Sequence, residues 1–251
     1  MTRKKKLVAI IQARMSSSRL PRKVLRKIGG KPMLHYVVKQ TRGSKLLDEI
    51  IIATTNEKKD DAIVEFCKNN KLRVFRGSKH DLLDRYYQCA KKYGASIIVR
   101  ITSDCPFIDP GIIDDAIHKF LNGHVDYLGN NIAKKNGKWD NHTCGYPQGN
   151  TVEVCSFSAL ERAWMQAIKP SEREHVFPFI QFNPKIFKIT NIKSAEDFSY
   201  IRCTVDRDVD LNFVRRIYEK IPNKKHVINT IDIVNVVRKY PYLLEIGRAH
   251  V

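Results

Sequence analysis

Where the apolar run that begins at Leu7 ends comes Gln12-Ala13-Arg14-Met15-Ser16-Ser17-Ser18-Arg19-Leu20-Pro21-Arg22-Lys23-Val24-Leu25. A strand that empties into hydroxyls, small residues and several cations supplies backbone N–H groups, O–H donors and fixed positive charge in one concave place. Those are the requirements for holding a polyphosphate. The planar fork of an arginine matches two phosphate oxygens, whereas Lys23 is a mobile point charge that follows charge developing on a leaving group. The competing reading is a solvated basic loop, and Leu20, Pro21, Val24 and Leu25 argue against it because apolar side chains tie the segment down. No GxxxxGK[ST] occurs, and no GxGxxG follows a strand, which disfavours a P-loop kinase and a Rossmann dehydrogenase.

A nucleoside triphosphate arrives with a divalent metal that needs hard oxygen ligands. Asp104 lies in Thr102-Ser103-Asp104-Cys105-Pro106, just beyond Ile97–Ile101, and Asp206 follows Ile201-Arg202-Cys203-Thr204-Val205. Each has a local alternative: Asp104 as a turn residue ahead of a proline, Asp206 as a helix N-cap. Yet Asp206, Asp208 and Asp210 crowd three carboxylates into five residues, more than one cap uses. Two strand-end carboxylates from distant parts of the chain make a Mg2+ pair. His142 and Cys144 have no matching pair elsewhere in a spacing that a metal site would use.

Those groups must be delivered by a regular scaffold. Leu7–Gln12, Glu49–Thr54, Leu72–Phe75 and Ile97–Ile101 read as short β-rich strands. Between them Met33–Thr41, Asp60–Asn69 and Asp81–Tyr93 carry helical apolar spacing. The alternation is that of βαβ units and predicts an α/β fold: a doubly wound, mainly parallel, Rossmann-like sheet covered by helices on both faces, with ligands at the carboxyl ends of its strands. Beyond it are expected a helix over Ile112–Leu121, a strand near Val125–Leu128 and an irregular flap over Gly129–Gly149. Strands follow at Thr151–Cys155, Ile186–Ile192 and Ile201–Val205, with helices at Ala159–Ile168, Arg173–Phe182, Leu211–Lys220 and Ile231–Lys239. The organisation is one domain over residues 1–246, with an inserted smaller lobe between about 130 and 200 for dimer formation or binding of a second substrate. Residues 247–251 read as a tail or cloning remnant.

The 251 residues, 43% of them hydrophobic, suffice for a sizeable core and exclude whole-chain disorder. Net charge is +19, which ordinarily points to nucleic acid, an anionic membrane surface or phosphorylated ligands. Of the 45 Lys and Arg, 14 lie between Met1 and Leu47, and none of the 26 carboxylates does, so that segment alone supplies +14. A polyanion-binding face spread over the whole fold is thereby disfavoured. No apolar stretch approaches the roughly 18 residues of a spanning helix, and the run after Lys6 stops at Gln12 without a cleavage site. Six scattered cysteines without a CxxC pair fit free thiols in a reducing cytoplasm.

The run Ile10–Pro21, with Lys23-Val24-Leu25 and Gly29-Gly30-Lys31-Pro32-Met33-Leu34, closely resembles the opening of the cytidylyltransferases that include the acylneuraminate and 3-deoxy-manno-octulosonate enzymes. The spore-coat polysaccharide branch is the nearest in pattern. Arg76-Gly77-Ser78, Asp81–Tyr87, Thr102–Pro106, Val152-Glu153-Val154, Arg173-Glu174-His175-Val176 and Thr204-Val205-Asp206 with Asp210-Leu211 extend the resemblance, in order, from about residue 7 to 240. It implies a nucleotidyltransferase fold and attack of a substrate oxygen on the α-phosphorus of CTP, with release of pyrophosphate. It further implies that Ala13, Arg14, Ser18, Arg19 and Lys23 hold CTP, that Gly77, Ser78 and Ser103 lie along base and ribose, and that Asp104 and Asp206 hold Mg2+. Arg14, Lys23, Asp104 and Asp206 are then the residues expected to carry catalysis.

For the second substrate, a sugar acid or phosphorylated small molecule, the family-like positions are Glu153, Arg173, Glu174, His175 and Arg202. Local alternatives stand beside them: Glu174-His175 as a helix start, Arg202 as a sheet-edge cation. A cation expected near Gln148 is missing. Two other classes stay open. Asp206-Arg207-Asp208 is similar to the DxD metal motif of nucleotide-sugar glycosyltransferases, which do not need a cationic loop after the first strand. A nucleic-acid-binding module would explain the charge without needing Asp104 or Asp206. The expectation is a cytoplasmic, homodimeric enzyme with neither a membrane nor a nucleic-acid partner.

Overall fold

β-Branched runs alternating with amphipathic segments build a single seven-stranded sheet with helices on both faces. The computed structural model describes residues 5–130, 132–133, 139–140, 144–222 and 226–248. In chain order the strands are β1 (Leu7–Gln12), β2 (Lys27–Ile28), β3 (Lys31–Pro32), β4 (Glu49–Thr55), β5 (Arg73–Gly77), β6 (Ile97–Thr102), β7 (Tyr127–Gly129), β8 (Ile132–Ala133), β9 (Trp139–Asp140), β10 (Glu153–Ser156) and β11 (Ile189–Asn191). The helices that matter to the site are α1 (Met33–Thr41), α2 (Asp61–Asn69), α3 (Leu82–Lys92), α4 (Pro110–Gly123), α5 (Phe157–Gln166), α6 (Pro170–Glu174), α7 (Pro178–Gln181), α8 (Asp208–Lys220), α9 (Thr230–Lys239) and α10 (Leu243–Arg248).

The main sheet runs β11-β7-β10-β6-β1-β4-β5, parallel throughout except for β10, which is antiparallel to both β6 and β7. Burial on both faces explains why β1 is continuously apolar rather than alternating. Its Leu7, Ala9 and Ile11 pack with α1, α2 and α4, while Val8 and Ile10 pack with α3, α5 and α7. A third cluster joins Leu20, Ile28, Met33 and Phe107 to Ile201, Cys203, Val205 and the apolar faces of α8 and α9. The β2–β3 hairpin turns through Gly29-Gly30, both at positive φ, and a Cβ on Gly29 would come within 2.1 Å of the Tyr218 ring. Only glycine satisfies both conditions.

Three expectations are corrected. Ile201–Val205 is not a strand, so Asp206 does not stand at a strand end; the segment makes one isolated parallel bridge, Gln148 to Arg202. Ile201, Cys203 and Val205 do alternate into the third cluster, which is the period-two signal. Their backbone, however, pairs with loops: Cys203 N–H donates to Gln148 O (2.7 Å) and Val205 N–H to Asp104 O (2.9 Å). Arg173–Phe182 is not one helix but is broken into α6 and α7 at His175–Phe177, because Pro178 cannot continue a preceding helix. The closing helices do not end at Lys239, since α10 carries the chain into the presumed tail. Residues 131, 134–138 and 141–143 of the Gly129–Gly149 flap, His142 among them, lie outside the described residues, as do residues 249–251. The six cysteines are free thiols, as expected, and all are buried. Among the described residues no helix is long and apolar enough to cross a membrane.

Asp109 connects two distant elements. It caps α4 ahead of Pro110 by accepting from Gly111 N (2.8 Å), and its other oxygen accepts from Thr230 N at the start of α9 (2.6 Å). Asp109→Ala removes both bonds and should cost about 1–2 kcal/mol. Calorimetry should then show Tm lower by roughly 2–8 °C for a chain of this size.

Candidate active site

The chain leaves β1 for β4 and β5 on one side and returns to β6 on the other, so the strand order reverses at β1. An α/β sheet opens its crevice at such a point, outside the carboxyl ends of the strands. Gln12 and Thr102, in register at the ends of β1 and β6, floor a cleft there. Ala13, Arg14, Ser18, Arg19, Lys23, Ser103, Asp104 and Asp206 line it, which brings the residues expected at the phosphates and metal into one place.

Lys23 is the hub. Its ammonium donates to Asp104 Oδ2 (2.8 Å), Asp206 Oδ1 (3.1 Å) and Val205 O (3.0 Å), using all three of its protons. Burial works against the charges on Lys23 and Asp104, but their mutual attraction and hydrogen bonds prevail. The Lys23 pKa is raised above 10.5, and that of Asp104 is lowered below 3.8. Asp206 also takes Arg19 Nη2 (3.0 Å) on the oxygen facing Lys23 and Arg202 Nη2 (2.9 Å) on the other. Asp210 is the α8 cap, accepting from the backbone of Asp206 and Arg207, while Asp208 is exposed and paired with Arg26.

The loop that presents Arg14 to Arg19 is fixed at both ends. Fully buried Asp60 accepts from Met15 N (2.7 Å) and from the Thr55 hydroxyl. Leu20, 1% exposed, anchors the far side in the third cluster, a burial worth about 1.5–3 kcal/mol. Arg22 then takes a left-handed backbone, φ 58°, to turn the chain into the single 3-10 turn that carries Lys23.

Arg85, on the buried face of α3, is 4% exposed and lines the cleft with Nε and Nη1 unpaired. Burial, and beyond it the neighbouring Arg14, lowers its pKa below the ordinary guanidinium value, against the pull of Tyr86 and Asp60. A desolvated cation with unused donors is poised for an anionic or carbonyl oxygen. Gly77 makes room for it: a Cβ there would stand 3.0 Å from Arg85 Cγ. Gly77 and Ser78 thus frame the cleft rather than line it. Ser78 Oγ accepts from Asp81 N (3.0 Å), and the adjacent Lys79 and His80 face the cleft instead.

Of the positions expected at the second substrate, the structure brings Glu174 and His175 to the cleft. His175 is aimed by a tight turn in which Phe177 N donates to His175 O (2.9 Å) across buried Val176 at φ 65°, a costly conformation for a β-branched residue. Glu153 is not brought there; 1% exposed, it lies within the sheet and pairs with Arg100. Arg173 is engaged by Asp81 (2.6 Å) and by the carbonyls of Trp164 and Ala167. Arg202 is held by Asp206, Asp210 and Gln148, so Gln148 accepts from a cation where a cation was expected. Gln12, Lys79, His80, Leu82, Arg85 and Thr102 line the cleft without having been singled out. Arg85 alone had a readable signal, a charge on the stripe Leu82-Tyr86-Cys89-Ala90 that is otherwise apolar.

A family model described as cytidylyltransferase matches residues 8–230. The spore coat polysaccharide biosynthesis protein SpsF of Bacillus subtilis is 29% identical over 242 residues, covering 94% of this chain and 95% of that one. A 3-deoxy-manno-octulosonate cytidylyltransferase of Geotalea daltonii is 32% identical over 222 residues, covering 78% and 85%. Among solved structures, a cytidylyltransferase from Leptospira borgpetersenii superposes with a TM-score of 0.87 at 31% identity, covering 98% of this chain and 99% of that one.

Two outcomes follow from the charges. Because the Asp104 pKa is depressed, its pairing stabilises above pH 3.8 and is lost as pH falls through the lower folded value; the raised Lys23 pKa maintains it until pH rises past 10.5. The stability deficit of Lys23→Met, a few kcal/mol at neutral pH, should therefore shrink as pH falls towards and below 3.8 in urea titrations, because protonated carboxylates no longer need the ammonium. Arg85→Met, which removes an unpaired buried charge, should leave the Tm of the free protein unchanged or higher while abolishing most of the Tm rise produced by a nucleotide.

Proposed function

The chain belongs to the cytidylyltransferase family, and from that premise we propose that it transfers the cytidylyl group of CTP to an oxygen of a sugar acid for surface polysaccharide biosynthesis. The observation that carries the reading is the convergence of Lys23, Asp104 and Asp206 beneath a hydroxyl- and arginine-bearing loop. In the reaction a sugar-acid hydroxyl oxygen forms a bond to the α-phosphorus. The bond from that phosphorus to the bridging oxygen breaks, and pyrophosphate leaves with its electron pair. The hydroxyl proton passes to the surrounding water or a neighbouring base.

This chain's own residues supply position and charge. Arg14, Arg19, Arg85 and Lys23 offset a polyanion, and the hydroxyls of Ser16, Ser17 and Ser18 line the cleft beside them. The donor set of Asp104 and Asp206, two carboxylates from separate segments meeting at one point, fits Mg2+ and would hold it. A divalent ion there supplies further neutralisation of phosphate oxygens. Lys23 bridges the same two carboxylates and holds them close to one another.

The glycosyltransferase reading loses its motif, since Asp208 is 74% exposed and paired with Arg26 rather than turned to the cleft beside Asp206. Pyrophosphate release from CTP and Mg2+, assayed against 3-deoxy-manno-octulosonate, N-acetylneuraminate and sugar phosphates, tests the proposal. Turnover is expected with a sugar acid, and Lys23→Ala and Asp104→Ala should each lower it by at least about 100-fold with circular dichroism unchanged. Near-normal turnover in either variant would refute these roles.

A further inference from the structure

On the side of the cleft nearest β6, the fold fixes one neutral side chain from behind. Gln12, half-buried at the end of β1, lines the cleft, and its Oε1 accepts from Arg100 Nε (3.0 Å) and from the Tyr86 hydroxyl (3.0 Å). A guanidinium only donates, so the amide oxygen must face Arg100; the reversed amide would set two donors against each other. Arg100 is itself immobilised. Its Nη1 pairs with Glu153, which is 1% exposed and accepts from the Tyr127 hydroxyl (2.7 Å) and, at longer range, from Gln181 Nε2 (3.4 Å). A buried polar chain thus runs from β10 through β6 to the tip of β1. No described residue accepts from Gln12 Nε2, whose two N–H groups are left for the cleft.

We propose that Gln12 is a specificity residue for the second substrate: its two oriented N–H groups donate to a carboxylate or hydroxyl oxygen of the sugar acid, with Arg100 and Glu153 as positioning residues. This rests on the cytidylyl-transfer reading. The two charged supports of the amide, Arg100 on β6 and Glu153 on β10, lie on the side of β1 away from β4 and β5, while Tyr86 of α3 steadies it from the other side. His175 reaches the same cleft from the segment that follows β10. Because the amide is already oriented, binding orders no additional rotamer, and the full hydrogen bond is realised in affinity and selectivity. Glu153, unable to touch a ligand from within the sheet, acts through Arg100 and Gln12.

The full chain tests this by two readouts. In steady-state assays with CTP and the best sugar acid of the panel, Gln12→Met should raise KM for the acid about tenfold or more, leaving KM for CTP within about twofold. Gln12→Glu should raise the acid's KM further, because one oxygen still accepts from Arg100 while the other confronts the substrate with negative charge. The second readout is the side-chain amide signal of Gln12 in 15N–1H spectra, assigned by its absence from Gln12→Met. It should stay in place with α,β-methylene-CTP and shift when 3-deoxy-manno-octulosonate or N-acetylneuraminate is added. A shift with the nucleotide analogue alone, no shift with either acid, or an unchanged KM for the acid would each overturn the assignment. Failure of every panel member to release pyrophosphate from CTP would count against the reaction itself, and the amide signal would still decide whether Gln12 meets a sugar acid.

Discussion

One ammonium group joins the parts of this molecule that chemistry requires to meet. Lys23, from the loop after β1, contacts Asp104 beyond β6 and both Asp206 and the Val205 carbonyl from the segment before α8. Three regions separated by more than 80 residues in sequence are held to one nitrogen. Without it two carboxylates would face each other in a partly desolvated cleft, an arrangement that repels and raises at least one pKa. With it, three segments far apart in sequence are drawn together at the mouth of one cleft.

The remaining charges obey the same economy of burial. Asp60 is fully buried and holds the backbone of the loop after β1, and Leu20 fastens that loop to the C-terminal helices. Glu153 and Arg100 neutralise each other inside the sheet and present a neutral amide at the surface of the cleft. Arg85 is the exception, a desolvated cation with two unpaired donors. Such a cost is tolerated where a ligand supplies the missing partner, the general trade between stability and function at binding sites.

The strands Leu7–Gln12, Glu49–Thr55 and Ile97–Thr102 were legible because short apolar runs between amphipathic segments have one reading in an α/β chain. The loop after β1 stood out because hydroxyls and cations are concentrated there, and folding places them along one cleft. Ile201–Val205 misled because alternation reports which side of a segment is buried, not whether a neighbouring strand exists to receive its hydrogen bonds. Arg173 and Arg202 misled for a related reason: a guanidinium's type is visible in sequence, but Asp81, Asp206 and Asp210, which occupy them, come near only on folding. Gln12 opened the cation- and hydroxyl-rich run without a role of its own, since a polar residue at a strand end is ordinary until its partners on β6 and α3 are known.

By itself, then, the sequence determined the layer architecture and pointed to the cation-rich loop and the two carboxylates that the fold brings into one cleft, because periodicity and local residue chemistry are properties of neighbours in the chain. Tertiary structure alone decided which cations are free and which are consumed, and that Glu153 serves the cleft from within the sheet. It also decided that Arg85 and the Gln12 amide face the cleft with donors to spare. Those outcomes depend on desolvation and on distances between segments far apart in the chain, and neither quantity exists until the chain has folded.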